Sequence, residues 1–526
     1  MTVFKGWEAA VPMGKITFDF STILSMILFS GAYFATAFFL IGKTENIAYM
    51  VVFSLMALIL YLNILRYFIF EICSLSYARM TEFFCYAIMY GITISVIAFP
   101  FFLEPVFVFE SPVVRYLIIG FATLLLTKYG LFMLLGPWHD IKMRIRNKLY
   151  FDDIDYNPLV SVMIPAWNEG VGLIHTIESL LRSEYRKFEI VVVNDGSTDD
   201  SDEKMCKFLR KHMTSHNKDI KIRYRYQENS GKGGALNHAI ATAKGEILIS
   251  IDADCSVDPQ AIGEFVKIFK DPAVDGAVGN VKIGNRNNTV GIVQYLEFLF
   301  SFYFKRADAL LGTIYIIGGA AGAFRKSVFE RLGGYSTTNL TEDIELTVRM
   351  QDAGMKIEFA SEAVVYTEGA SDLASLKKQR LRWKRGRFQT FYQHMHLFFS
   401  TKKRHNKFLT WGIMPLAIIQ EIQLLLEIPF LIFLYVFSIL NADFTSYLTG
   451  VLVVGMMFVV QFTFYDKSTR RVSFIALAPI GWLLFYTATY VESWALIKSI
   501  ESFIFKKEIS WQKWERKGIG VVTQTQ

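Results

Sequence analysis

Apolar residues crowd the two ends of this 526-residue chain and thin out in its middle. Ahead of residue 138 they form four long runs, at 20–42, 47–65, 83–103 and 116–135. A helix needs roughly 20 such residues to cross the hydrocarbon core of a bilayer. The first run is too long for a cleaved signal peptide and lacks a small-residue cleavage flank. Lys5 and Lys15 precede it, Arg66 and Arg79 follow the second run, and "HDIKMRIRNK" (139–148) follows the fourth. Basic residues stay on the cytoplasmic side, so the N-terminus and the middle of the chain are expected in the cytoplasm.

The pattern returns, less regularly, after residue 408. Residues 408–440 are too many for one straight span and include Glu421 and Glu427. A charge at the bilayer centre costs on the order of 3 kcal/mol on insertion scales. These acids are therefore expected at an interface or facing a cavity, in an interfacial helix that leads into a span ending near Leu440. A second span is expected over 446–465, before "DKSTRR". The last apolar stretch, 472–500, holds Pro479 and Glu492 and leads into "FKKEISWQKWERKG". That combination predicts a segment that re-enters the membrane or lies flat on it.

Between these ends, short apolar runs alternate with helical periodicity, which marks an α/β sheet. "LVSVMI" (159–164, stopped by Pro165), "EIVVVN" (189–194), "IKIRYRY" (220–226) and "EILISI" (246–251) read as strands, and "GGALNHAIATAKG" as a helix with a glycine stop. The organisation expected is a membrane region (1–138), a basic linker (139–156), a cytoplasmic α/β domain (157–400) and interfacial and transmembrane helices (401–526).

Composition agrees: 52% of residues are hydrophobic, 15% aromatic, and mean hydropathy is +0.32, too apolar for an ordinary soluble enzyme. The net charge of +7 is modest. Its juxtamembrane clusters suit an anionic lipid leaflet, and no nucleic-acid-binding module stands out. Cys73, Cys85, Cys206 and Cys255 have no metal-ligand spacing and imply no disulfide framework. In "HMH" (394–396) two histidines two apart on a helix face different ways, which argues against a metal pair.

Polar residues gather just past the strands, in "AWNEG" (166–170), "DGSTDD" (195–200) and "DADC" (252–255). Ligands of open α/β sheets bind at that edge. Asp252 and Asp254 form a D-x-D, a set suited to Mg2+ or Mn2+ with phosphate and water as the other ligands, although acids after strands are also ordinary turn residues. Lys232 in "SGKGGALN" precedes a helix N-terminus that favours a phosphate; a plain glycine-rich turn is the alternative. "TEDIELTVRMQDAG" (341–354) puts Glu342 and Asp343 where a loop becomes an amphipathic helix, either as a capped start with Thr341 as N-cap or as a catalytic acid pair. In "KKQRLRWKRG" (377–386), Gln379, Arg382 and Trp383 can share a helix face, the guanidinium suited to phosphate and the indole to a sugar ring. A basic helix snorkelling at a membrane surface fits the same residues.

These motifs, in this order, resemble the processive family 2 glycosyltransferases: the cellulose, chitin, hyaluronan and poly-N-acetylglucosamine synthases. The family's D-G-S, D-x-D, T-E-D and Q-x-x-R-W elements match Asp195–Ser197, Asp252–Asp254, Thr341–Asp343 and Gln379–Trp383. The resemblance implies a GT-A catalytic domain between membrane helices. By it, Ala166, Glu169 and Asp195 hold the uridine end of a UDP-sugar, Lys232 and Asp252 line the donor site, and Asp254 binds Mg2+ or Mn2+. Gln379 and Arg382 then contact the diphosphate. Trp383 floors the acceptor sugar of a growing glycan, Gly322 of "GGAAGAFR" (318–325) lies in the acceptor strand, Glu342 supports the loop beside the acceptor, and Asp343 is the general base. The apolar helix over 290–311 falls inside the catalytic domain. The wording of the motifs is nearest the bacterial poly-N-acetylglucosamine and chitin-oligosaccharide synthases, while four leading runs exceed the two expected of the former. No segment after the last apolar stretch is long enough for a cyclic-dinucleotide-binding domain, so any such regulation is expected to need a partner subunit. Two other readings are a non-processive transferase to a lipid and a scaffold with a degenerate enzyme domain. The latter predicts eroded acids, and all are present.

Overall fold

The structure is a computed structural model describing residues 132, 135, 136, 139, 142, 143, 146, 154–213, 219–440, 481–505 and 518. The first three N-terminal runs, the expected span at 446–465, Pro479, and all but a few residues of the fourth run and the C-terminal tail lie outside them. The described residues from Leu135 onward belong to one compact unit, Leu135–Phe462 with Val472–Gln526.

Strands β1 (Val160–Ala166), β2 (Phe188–Asp195), β3 (Lys221–Gln227) and β4 (Ile247–Ser250) run parallel. With β5 (Cys255–Val257), β6 (Val274–Ile283), β7 (Gly322–Arg325) and β8 (Lys356–Thr367) they make one sheet in the order β3-β2-β1-β4-β7-β6-β8-β5. β7 is antiparallel to both of its neighbours, and β5 is antiparallel to β8. The four sequence-predicted strands fall within two residues of where they were read.

Pro165 does not stop β1, which continues to Ala166. Met163 accepts from Ile251 on the β4 side, and Pro165 faces the same side, where β4 has ended at Ser250. The N–H that proline lacks therefore has no ladder position to fill.

The helices are α1 (Leu173–Leu181), α2 (Ser201–His212), α3 (Gly231–Thr242), α4 (Ala261–Ile268), α5 (Thr289–Leu311), α6 (Lys326–Leu332), α7 (Glu342–Asp352), α8 (Leu373–Gln393), α9 (Met414–Leu440) and α10 (Gly481–Ile504). Strand alternation sorts them into layers. Val162, Ile164, Ile190 and Val192 face α1, α2 and α4. Met163, Val191 and Val193 face α3, α6 and α7. Burial of both faces explains why the strands read as continuous apolar runs.

α5 is apolar enough to resemble a span, yet it packs on β6 and β8. Asn288 caps its start, and Gly312, at φ +69°, ends it. The first of the C-terminal elements departs from expectation. A π-helical turn at Phe408–Ile413 passes directly into α9, so no break separates an interfacial helix from a span. Among the described residues, one helix, Phe408–Phe430, is long and apolar enough to cross a membrane by length and composition. α10 is one unbroken helix along α8 and α9, with no re-entrant turn within Gly481–Ile504.

Candidate active site

Three strand-end loops are knitted together at the edge formed by β1, β2 and β4. Asn168, in the left-handed region at φ +54°, accepts through Oδ1 from the backbone N–H groups of Thr198 (2.7 Å) and Asp199 (3.3 Å), and its own N–H donates to Ser197 Oγ. Asparagine tolerates that backbone because its short amide bonds locally. Asn194 Oδ1 accepts from Ser197 N–H, closing the D-G-S turn. The Asp195 carboxylate is buried and accepts from Gln227 Nε2 (2.7 Å) and Ser230 N–H (2.9 Å). Ala166 ends β1, fully in the core, and Glu169 is buried at the start of the α1 turn.

The D-x-D loop is fixed from beneath by Thr176. Its hydroxyl lies 2.9 Å from the Ala253 carbonyl and 2.7 Å from that of Cys255, and accepts from Cys255 N–H at 3.1 Å. Gly172 makes this approach possible, since a Cβ there would stand 2.9 Å from the Ala253 oxygen. Asp254 is buried, with Thr367 Oγ1 at 3.5 Å from its Oδ1.

The acids and bases of distant motifs converge on Gly319. Its N–H donates to Asp343 Oδ2 at 2.9 Å, and a side chain on it would collide with the Lys232 ammonium. Lys232 Nζ in turn lies 2.6 Å from Asp252 Oδ1 and 3.5 Å from Glu342 Oε1. Burial alone lowers an ammonium, but Asp252, Glu342 and Asp343 together hold Lys232 charged, above the usual lysine range. Burial and the neighbouring Asp343 push the Glu342 carboxyl up, against the pull of Lys232 and Arg382. Asp343 Oδ1 accepts from Ile344 N–H, so both oxygens point along backbone donors that aim the carboxylate. Thr341 stands at the N-cap but makes no side-chain cap bond; its hydroxyl pairs with Asn339.

α8 meets this junction closely. A Cβ on Gly386 would overlap the Thr341 side chain, so glycine lets the Q-x-x-R-W helix lie against the T-E-D loop. Lys232 begins within the first turn of α3, where sequence had put it just before the helix. Gln379 Oε1 and Arg382 Nε are buried without a hydrogen-bond partner among the described residues. The Arg380 guanidinium stacks 4.3 Å above Trp383. Gly322 lies inside the sheet, opposite Ser250 and Val278.

Several members carry no sequence signal beyond their type. Tyr335 is buried, hydrogen-bonded to Ser250, and its phenol is pushed up by burial and by Glu342 and Asp343. Lys305 of α5 donates to the Ile316 carbonyl at 2.7 Å, and burial lowers its ammonium although Asp308 and Asp343 oppose this. The "HMH" argument fails on geometry. α8 ends at Gln393, and a 3-10 turn, Met395–Leu397, brings His394 and His396 back beside Asp352, with ligand atoms within 4.8 Å of one another. Asp352 already pairs with Arg404 (3.0 Å) and His405 (2.9 Å). The group thus serves as a charge clamp.

The model of the glycosyl transferase family 2 matches residues 161–333, which hold the D-G-S and D-x-D loops and Lys232. The chain is 26% identical over 366 residues to the poly-beta-1,6-N-acetyl-D-glucosamine synthase of Staphylococcus epidermidis, covering 67% of this chain and 84% of that one. It is 31% identical over 255 residues to the enzyme of the same name from Staphylococcus aureus strain COL, covering 48% of this chain and 60% of that one. A solved mannosyltransferase, PcManGT from Pyrobaculum calidifontis in complex with GDP-Man and Mn2+, aligns at TM-score 0.46 and 18% identity over 80% of this chain and 100% of its own. Residues 161–333 thus form a family 2 glycosyltransferase domain on an α/β fold, and the chain resembles the poly-beta-1,6-N-acetyl-D-glucosamine synthases.

Proposed function

We propose that this glycosyltransferase is an inverting, membrane-embedded polysaccharide synthase. It takes a UDP-hexose, with UDP-N-acetylglucosamine preferred and UDP-glucose second, and passes a β-linked chain across its own membrane helices. The carrying observation is the Gly319 junction, where the Asp343 carboxylate and the Lys232–Asp252 pair meet on one backbone position. The resemblance to poly-beta-1,6-N-acetyl-D-glucosamine synthases supports the donor. The apolar face of α9, with Ile419, Ile422, Leu426, Ile432 and Val436 exposed, supports embedding in lipid.

In this reading Ala166, Glu169 and Asp195 receive the uridine end, and Lys232, Gln379 and Arg382 receive the diphosphate. Asp252 and Asp254 fit Mg2+ or Mn2+, a cation that takes few carboxylates and completes its shell from phosphate and water. When bound, it supplies positive charge against the departing diphosphate. The acceptor sugar rests on Trp383 with a hydroxyl at Asp343. That hydroxyl oxygen forms the bond to the anomeric carbon, the carbon–phosphate-oxygen bond breaks, and the proton passes to Asp343. Attack opposite the leaving UDP inverts the anomeric centre. General-base assistance of this kind contributes about 10²–10⁴-fold; alignment and charge stabilisation supply the rest.

The test is to incubate membranes with Mg2+ or Mn2+ and, separately, UDP-N-acetylglucosamine, UDP-glucose and UDP-glucuronate, reading UDP release and product size together. Release with the first sugar and products many sugars long are expected. Release with UDP-glucose alone would overturn the preferred donor. Products that stop at one added sugar, extractable with lipid, would replace the synthase with a transferase to a lipid acceptor.

A further inference from the structure

Two of the three acids that stand out in the C-terminal apolar stretches, Glu421 and Glu492, pair with cations of α8. Arg380, Lys384 and Arg387 lie at intervals of four and three along α8, on one stripe of the helix. Arg380 reaches Glu297 of α5 at 2.7 Å and Glu492 of α10 at 3.0 Å. Lys384 reaches Glu492 at 3.0 Å and Glu421 of α9 at 2.7 Å, and Arg387 pairs with Glu421 as well. Three cations thus meet three carboxylates from three helices, with the Arg380 and Lys384 side chains only 3% and 6% exposed. The adjoining positions of α8 are Gln379, Arg382 and Trp383. Arg380 joins the two stripes, because its guanidinium stacks on the Trp383 ring while its edge is held by Glu492.

We propose that Glu421 and Glu492 are positioning residues: through Arg380, Lys384 and Arg387 the two C-terminal helices set the rotation and depth of α8, and so the places of Arg382 and Trp383. Buried charges are costly to leave unpaired, so α8 cannot slide or turn without dragging α9 and α10 along. A displacement of those helices, such as a glycan moving beside them would impose, reaches the diphosphate and acceptor groups by the same route. Small residues let the helices approach: Ser493, Ala495 and Ser499 of α10 are buried, and Ser493 donates to the Leu424 carbonyl of α9. The inference rests on reading Arg382 and Trp383 as site groups.

The experiment uses the full chain in lipid nanodiscs, comparing wild type with Glu492→Gln and Glu421→Gln. Glu427→Gln is the control, since Glu427 contacts Thr489 outside the network. Hydrogen exchange over residues 377–387, UDP affinity and kcat for sugar transfer are read on each. Expected are faster exchange and a kcat loss of roughly tenfold or more in the two network variants. UDP affinity falls too, but by less than kcat, because Arg382 meets the diphosphate while the uridine end is held by other loops, and Glu427→Gln behaves as wild type. If a single variant fails to fold, the double variant Lys384→Met with Glu492→Leu removes both charges at once and must show the same kcat loss. Unchanged exchange, or faster exchange with kcat intact, would overturn the proposal. A wild-type protein that transfers no sugar, yet shows the exchange difference, would overturn the catalytic reading and the positioning role with it, leaving only a mechanical tie between helices.

Discussion

The loops that close β1, β2 and β4 are tied to each other by amides and hydroxyls, whereas α8 is held in place by paired charges. Asn168, Asn194 and Thr176 fix their loops through backbone groups a few ångströms away. Such bonds are short-ranged and direction-specific, so the donor wall is rigid and built largely from its own strand ends. α8 carries Gln379, Arg382 and Trp383 but depends on Glu297, Glu421 and Glu492 from other helices. In the proposed function the uridine end is thereby held locally, while the α8 groups for the diphosphate and the acceptor are placed by the C-terminal helices. In the proposed synthase, a donor wall that stays fixed and a helix that answers to a moving polymer call for different fastenings.

Removing the charge that joins the two walls should have the largest effect. Lys232→Met leaves Asp252, Glu342 and Asp343 facing one another. Turnover measured by UDP release should fall about 10²–10³-fold, and a variant with near-normal kcat would dissolve the idea of a shared junction. Next comes the approach of α8 itself. Gly386→Val forces the helix off Thr341; kcat should drop on the order of 10²-fold, the cost of misplacing reactive groups by about an ångström, with a smaller loss of UDP affinity through Gln379 and Arg382. Loss of UDP affinity with kcat intact would mean that α8 serves the donor wall alone. Asn168→Ala should do the opposite, weakening UDP binding about tenfold by calorimetry while kcat at saturation holds.

The smallest effect on activity is expected at a second charged cluster. Glu358 is buried; burial pushes its carboxyl up, but His139, Lys142 and Arg146 outweigh that and hold it down at about 2. Its folded-state value lies below the ordinary one, so its contribution to stability is complete above the usual carboxylate range. It is lost as pH falls from about 4.5 towards 2. Wild type should therefore melt higher than Glu358→Gln by a constant margin down to about pH 5, and the margin should shrink below it. A margin independent of pH would remove Glu358 from the ledger of paired charges.

The strands and loops of the proposed donor wall were legible in the sequence, and those of the proposed acceptor wall only in part, for a physical reason. β1, β2 and β4 announce themselves as apolar runs followed by polar loops, and a D-G-S or D-x-D keeps its chemistry within three residues. By contrast β5, β7 and β8 are short or bulged strands paired antiparallel or across a bulge, and nothing local specifies such partners. Gly319 and Gly386 matter through what a Cβ would strike, which sequence does not display. Glu421 and Glu492 did stand out as charges in apolar stretches, but their cations sit on a helix 34 or more residues away along the chain. The two histidines of "HMH" were misread because the helix was assumed to run through them, while it ends one residue earlier. Pro165 was misread in the same manner, as a break where the neighbouring strand had already stopped.

The most direct test of the central assignment is Asp343→Asn, with UDP affinity and glycosidic bond formation measured on the same preparation. The geometry predicts UDP binding within about twofold of wild type and no new glycosidic bond, because the amide keeps the contact with Gly319 but cannot take the acceptor proton. Robust sugar transfer by that variant would contradict it.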